Sequence, residues 1–264
     1  MIDQLGRHIN CKKVPKRIIS LVPSQTELLY DLGLEDSIVG VTKFCVHPKR
    51  AIKDKTIVGG TKDVKFDLIK SLNPDIILCN KEENTKEIVA TLEGVTTVHV
   101  SDIYTLKDSL ALINQYGELF SVENSAEEII RAINSEWSSF KSFIKNTSEK
   151  KVAYFIWRKP WMVAGSNTFI DFLLKENKFT NVFVDKTRYP EISISELMNN
   201  KELDYILLSS EPFPFKQKHI EELQNDLPAV KIILVDGEYF SWYGSRLKSA
   251  FAYFKELHTV INNH

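Results

Sequence analysis

Ser24 and Glu27 in "LVPSQTELL" stand three residues apart where an apolar, β-like run gives way to helical spacing. A serine hydroxyl needs an adjacent base before it can attack anything, and nothing near it in the chain can activate it. The same S-x-x-E spacing ahead of Leu28, Leu29 and Leu32 predicts a capping box, in which the serine accepts a helix N–H and the glutamate reaches back. A strand-to-helix turn of an α/β protein also lies at the carboxyl end of its strand, where ligand crevices open. Ser24 is therefore expected to cap a helix and to line a crevice. "FCVHP" places a thiol, Cys45, two residues from an imidazole, His47, which is too few donors at too generic a spacing to assign a metal site. The six histidines show no pairing at three or four residues, and the phosphate-loop, dinucleotide, nucleophile-elbow and HExxH patterns do not occur. No catalytic residue and no resident metal are assigned.

The aromatic residues carry more. Phe44, Trp157, Trp161, Tyr189, Tyr239, Phe240, Trp242 and Tyr243 fall at the ends of expected strands or just beyond them. "EYFSWYGSR" sets four rings in five positions, more than one core can take inward, and rings on a crevice wall suit a flat, partly apolar ligand. Trp137, on a helical stripe, is read as core.

Those side chains must be held by an α/β framework. β-branched runs alternate with amphipathic segments through "RIISLV", "SIVGVT", "KTIVGG", "DIILC" and "VTTVHV", and the pattern restarts at Lys151 with "KVAYFIW", "MVAG", a helix over 168–175, "DYILLS" and "KIILV". This predicts two α/β lobes with mostly parallel sheets. Between them Ala126, Ile129, Ile130, Ile133, Trp137, Phe140 and Ile144 form one helical stripe, with Ser125 and Glu128 as its expected capping box. The expected division is a lobe over 1–104, a helical linker over 105–148 and a second lobe over 149–264. The lobes echo each other: Asp67 precedes Asp75 by eight residues and Glu196 precedes Asp204 by eight, each second acid opening an apolar strand.

A net charge of −1 over 264 residues excludes the basic footprint of a nucleic-acid binder. Three widely spaced cysteines, Cys11, Cys45 and Cys79, suggest no disulfide framework. The first seventeen residues have charges at Asp3 and Arg7 and no apolar run of the length of an export signal, so removal of a leader and a non-exported protein both stay open.

With these elements in place, "DQLGR", "VPKRIISLVPSQTELLYDLGLEDSIVGVT", "VGGTKDVKFDLIKSLNPDIIL" and "KPWMVAGSNTFIDFLLKENKFTNVF" resemble the cobalamin and iron-siderophore substrate-binding proteins of ABC importers, over nearly the whole chain. The resemblance implies two Rossmann-like lobes joined by a long rigid helix, a monomer of the periplasm or cell envelope, and a ligand in the interlobe cleft, a corrinoid or a ferric siderophore. Carried over position by position, the ligand residues are Ser24, Phe44, Thr61, Asn80, Trp161, Tyr189, Glu238 and Trp242. Thr61 and Asn80 stand where a well-known member has tryptophans, and Trp242 where a basic residue is expected. Arg158, Lys159, Arg188 and Arg246 are the cations available to an anionic chelate. Acids on each lobe, Asp67 and either Glu196 or its neighbour Ser195 in the alignment, would dock on the permease subunits. A cytosolic ligand-handling protein or enzyme on the same scaffold is the alternative.

Overall fold

The β-branched runs of the first half form β1 (Ile18–Ser20), β2 (Ile38–Val41), β3 (Thr56–Ile57), β4 (Ile76–Asn80) and β5 (Thr97–Ser101) in the computed structural model, which describes residues 1–199 and 202–263. All neighbours are parallel, in the order β3-β2-β1-β4-β5. Helices α1 (Pro23–Asp31), α2 (Ala51–Asp54), α3 (Phe66–Ser71), α4 (Lys86–Glu93) and α5 (Leu106–Phe120) belong to this half. Every residue of β4 is buried, as a parallel strand covered on both faces requires. Ile19, Ile77, Cys79, Val98 and Val100 of the sheet, with Leu21 just past β1, pack with Ile69 of α3 and with Ile88 and Leu92 of α4. Each such aliphatic side chain contributes about 1.5–3 kcal/mol on full burial.

A 22-residue helix, α6 (Glu123–Ile144), comes next. The second half then builds β6 (Lys150–Trp157), β7 (Met162–Val163), α7 (Phe169–Glu176), β8 (Phe179–Asn181), α8 (Ile194–Met198), β9 (Tyr205–Ser209), α9 (Gln217–Asp226), β10 (Lys231–Val235), α10 (Gly237–Ser241) and α11 (Leu247–Asn263). Strands β10, β9, β6 and β8 are parallel neighbours, and β7 returns antiparallel along the last residues of β6.

Two compact units result: Met1–Ser135 with Trp242–Lys248, and Glu136–Ser241 with Ser249–His264. The division thus falls inside α6 rather than at the ends of a linker over 105–148, and α5 belongs wholly to the first unit. The segment Trp242–Lys248, late in the chain, also belongs to that unit, where the Gly244 N–H donates to Ser109 Oγ of α5 at 2.9 Å. Gly244 has φ +84°, a conformation that favours glycine.

The expected echo between the halves is physical. The Asp75 carboxylate accepts the backbone N–H groups of Lys16 and Arg17 at 2.7 and 2.9 Å, and its own N–H donates to the Arg17 carbonyl at 2.8 Å. Asp204 takes the Lys151 N–H at 2.7 Å and donates to the Lys151 carbonyl at 2.9 Å. Each aspartate therefore pins the start of its strand to the neighbouring one.

Two expected capping boxes do not form. Pro23 occupies the first helical position of α1, with Val22 as N-cap and no side-chain cap, so Ser24 lies inside the helix. Proline has no N–H to be capped and is pre-set for a helical first turn, which moves the start ahead of the serine. Helix α6 likewise begins at Glu123, two residues before Ser125. Capping boxes occur instead at Thr105 with Asp108 and at Ser193 with Glu196. "DQLGR" is also structural: Asp3 accepts the N–H groups of Leu5, Arg7 and Val100 and forks with the Arg7 guanidinium, tying the N-terminal turn to β5.

Candidate functional site

In the first unit the chain direction puts four of the expected ligand residues at the carboxyl edge of one sheet. Ser24 follows β1, Phe44 follows β2, Thr61 follows β3, and Asn80 is the last residue of β4. The strand order reverses between β1 and β4, and open parallel sheets leave their crevice at such a point. Trp242 joins the same unit through the inserted segment.

These five side chains differ in what they offer. Phe44 is 49% exposed, with the Lys43 ammonium 5.1 Å from its ring centre. Thr61 is half-buried. Ser24 is nearly covered and bonds to the Tyr243 phenol, whose ionisation burial pushes well up. Trp242 is buried, edge-on to the His47 ring at 5.4 Å and under the Arg246 guanidinium at 4.7 Å. Arg246 in turn forks onto Glu27, at 2.9 and 2.8 Å, which is the partner this glutamate has in place of a helix cap. Burial nonetheless pushes the Glu27 carboxyl above its ordinary range, against the pull of Arg246.

Asn80 is not a ligand-facing group. It is 2% exposed; its NH₂ donates to Ser101 O and Oγ at 3.2 and 3.0 Å, and its Oδ1 accepts from Glu82 and Glu83 N–H. Register explains this, since Asn80 lies opposite Ser101 on β5. Beneath the edge, Gln25 Nε2 donates to Ser101 Oγ at 2.6 Å and Tyr243 Oη at 2.9 Å, and Gln25 Oε1 accepts from Tyr116 Oη at 2.7 Å. A buried polar group left unpaired costs about 1–3 kcal/mol, so this network holds the inserted segment in one register.

In the second unit Trp161 follows β6, Glu238 follows β10, and Tyr189 sits on the loop that runs beside β7. Gly165 lets that loop approach: a Cβ there would lie 2.1 Å from Lys186 O. Trp161 stacks on Phe215 with an interplanar angle of 2° and meets Phe155 edge-on. Trp157, the last residue of β6, is 39% exposed and edge-on to Phe213. This second carboxyl edge is a ring platform. The segment Tyr239–Tyr243 does not leave its rings free: Phe240, Trp242 and Tyr243 are buried, and Tyr239 stacks on Tyr253. Phe240 packs in the second unit and Trp242 in the first, so two cores share what one could not take.

Residues 18–233 match the periplasmic binding protein family. The chain belongs to that family. Among relatives of this periplasmic binding protein, an ABC transporter substrate-binding lipoprotein of Bacillus subtilis is 28% identical over 72% of this chain; the chain spans 63% of that relative's length. A vitamin B12-binding protein of Vibrio campbellii is 29% identical over 81% of this chain and 78% of its own. The periplasmic vitamin B12-binding protein of Vibrio cholerae superposes with a TM-score of 0.78 at 18% identity, covering 95% of this chain and 99% of that one.

Two of the four cations that could hold an anionic chelate are already committed within this binding protein. Arg158 forks onto Glu222 at 3.0 and 2.6 Å, and Arg246 onto Glu27. Arg188 lies over the Tyr189 ring at 5.9 Å, and Lys159 is exposed. Cys45 is buried between the Thr26 and Thr42 hydroxyls, and burial pushes its thiol up. Among the described residues no three His, Cys, Asp or Glu side chains come together as a metal site.

Asp67 is exposed at the second position of α3. In α8 Ser195 holds the second position and Glu196 the third, so helix position pairs Asp67 with Ser195, while the spacing to the strand aspartate pairs it with Glu196. Lys186 holds Glu196 at 2.7 Å and, with the Ser193 N–H, keeps its carboxyl low.

Sequence reasoning missed Glu83. It lies in the turn after β4; its half-buried carboxyl bonds to the Thr61 side chain, faces Lys62 and is pushed up by burial. The signal available was its place just past a strand's carboxyl end.

Proposed function

We propose that this protein is the substrate-binding component of an ABC importer, working as a monomer in the cell envelope, and that it carries a corrinoid or iron chelate without transforming it. The observation that carries the proposal is the gathering of Ser24, Phe44, Thr61 and the Trp242 segment at the carboxyl edge of one parallel sheet. Trp161, Tyr189 and Glu238 in the second unit complete the proposed contacts, with Trp157 added as an exposed ring. The names of the relatives, vitamin B12-binding among them, support the ligand class. Ring stacking supplies most of the driving force and a few placed polar groups the orientation. Asp67 and Glu196 are the proposed contacts to the permease subunits.

Titration with cyanocobalamin, hemin and a ferric siderophore, followed by tryptophan quenching, tests the ligand class. Saturable quenching by one of them, weakened in Phe44→Ala and in Trp157→Ala, is expected; silence from all three removes the proposal. Asp67→Lys with Glu196→Lys should leave binding intact and abolish uptake by cells. Unchanged uptake would turn the argument toward a handling protein on the same scaffold.

A further inference from the structure

The inserted segment of the first unit is tied to α1 and α5 at several points, and the ties do different things. Two of them set its register: the Tyr243 hydroxyl accepts from Gln25 Nε2 at 2.9 Å, and the Gly244 N–H donates to Ser109 Oγ at 2.9 Å. The exposed pair of Lys248 with Asp31, at 3.0 Å, fastens the end of the segment to the last residue of α1. The remaining tie reaches a ring. Arg246 forks onto Glu27 through Nε and Nη2 at 2.9 and 2.8 Å, with the two side chains only 9% and 19% exposed, and its guanidinium lies over the Trp242 ring at 4.7 Å. The ring's edge-on neighbour is His47 at 5.4 Å, on the loop after β2 that also carries the exposed Phe44. A planar guanidinium bonded at two corners cannot turn freely, so a ring against its face is held in one orientation. With the register already set by Tyr243 and Gly244, what the Glu27 and Arg246 pair adds is the placement of the indole.

We infer that Glu27 and Arg246 form a clamp that positions the Trp242 ring before the ligand arrives, so that Arg246 is a positioning residue and Trp242 a preformed wall of the first unit's carboxyl edge. This inference rests on the proposed binding of a corrinoid or iron chelate. Trp242 is 6% exposed, so the clamped ring shapes the edge by where it stands rather than by offering a free face. A ring left to swing would have to be ordered again at each binding event, and that ordering costs affinity. Largely buried ion pairs add little net stability, because desolvation offsets their attraction, and holding a ring that shapes the edge gives this pair a use. The Lys248 and Asp31 pair spans the same two elements, is exposed, and meets no ring among the described residues. It is the control that the fold itself supplies.

Glu27→Gln combined with Arg246→Gln tests the clamp, because removing both charges together leaves neither one buried without its partner. Two readouts are taken: the fluorine NMR resonance of Trp242 in the fluorotryptophan-labelled chain, identified by its loss in Trp242→Phe, and the affinity of the unlabelled chain for cyanocobalamin, hemin and ferrichrome by calorimetry. In the double variant the Trp242 resonance should move and broaden while those of Trp137, Trp157 and Trp161 stay. Whichever ligand the wild type holds should bind about tenfold more weakly. Arg246→Lys keeps the charge opposite Glu27 without the planar fork and should fall between; it carries the test if the double variant does not fold. Lys248→Gln should change neither readout. An unmoved Trp242 resonance, a moved resonance with unchanged affinity, or an equal loss in Lys248→Gln overturns the inference while leaving the binding proposal standing. Loss of hemin binding with an unmoved ring would make Arg246 a direct contact for carboxylates instead. Binding of none of the three ligands overturns both.

Discussion

The carboxyl edges of the two sheets are built from the same strand plan and finished with opposite materials. In the first unit, hydrogen bonds close the edge: Gln25, Asn80, Ser101, Tyr116 and Tyr243 share donors and acceptors beneath Ser24 and Thr61. In the second unit rings close it, with Phe213, Phe215, Trp161 and His219 packed edge to face or stacked beneath Trp157. The first edge receives a segment from far along the chain, Trp242–Lys248, and directional bonds fix such an insertion in one position. The second is continuous in sequence apart from its loops, and non-directional ring packing is enough.

Cutting into the ring edge should give the largest effect. Phe215 is buried against Trp161, Phe213 and His219, so Phe215→Ala leaves a cavity and removes a stacked partner. The expected loss is about 3–5 kcal/mol, read from urea unfolding followed by the tryptophans, of which Trp137, Trp157 and Trp161 lie in the second unit and Trp242 in the first. A loss below about 1 kcal/mol would mean the rings are loosely packed.

A smaller loss is expected at the hydrogen-bonded edge. Gln25→Leu keeps volume but strands the Tyr116 hydroxyl in a buried site and takes one partner from the Tyr243 hydroxyl, which keeps Ser101, for about 1–3 kcal/mol. Its more telling consequence is local: hydrogen exchange over 242–248 should rise well above that over β6 and β9. Uniform exchange across both units would show that the network does not hold the insertion.

Much of this architecture was legible from periodicity. The alternation of β-branched and amphipathic runs located nine of the strands and the linker helix because buried parallel strands and one-sided helices leave strong patterns. Paired partners leave no such pattern. Ser24 looked like a cap because S-x-x-E is also the spacing of two residues in an ordinary helix whose start Pro23 had already set. Asn80 looked like a crevice wall because its register with Ser101 is a long-range fact. The Tyr239–Tyr243 rings looked too many for one core, which was right, but no local rule says that a chain will give Phe240 to one unit and Trp242 to the other. Glu83 was passed over because acid-rich turns are common, and the groups its carboxyl faces, Thr61, Lys62 and Tyr243, lie on segments distant in sequence.

The smallest expected effect concerns that residue and separates the edges by pH. Burial raises the Glu83 carboxyl in the folded chain above its unfolded value, so the folded state binds the proton more readily. Folding is then favoured below the unfolded range, and the contribution is lost as pH rises through the raised folded value. Glu83→Gln, which cannot ionise, should therefore stabilise the first unit at pH 7 and make little difference at pH 4, as seen in urea midpoints. The second unit contains the opposite case: His258, buried against Phe140 and Phe179, is lowered by burial to about 4, so its contribution is lost as pH falls from the ordinary histidine range through that value. Unfolding of Glu83→Gln should accordingly show a first unit whose stability no longer declines between pH 4 and pH 7 on this carboxyl's account, beside a second unit that still weakens on acidification. Destabilisation by Glu83→Gln at pH 7 that vanishes at pH 4 would place the Glu83 carboxyl in a favourable ionised pair with Lys62 and remove the premise that burial pushes it up.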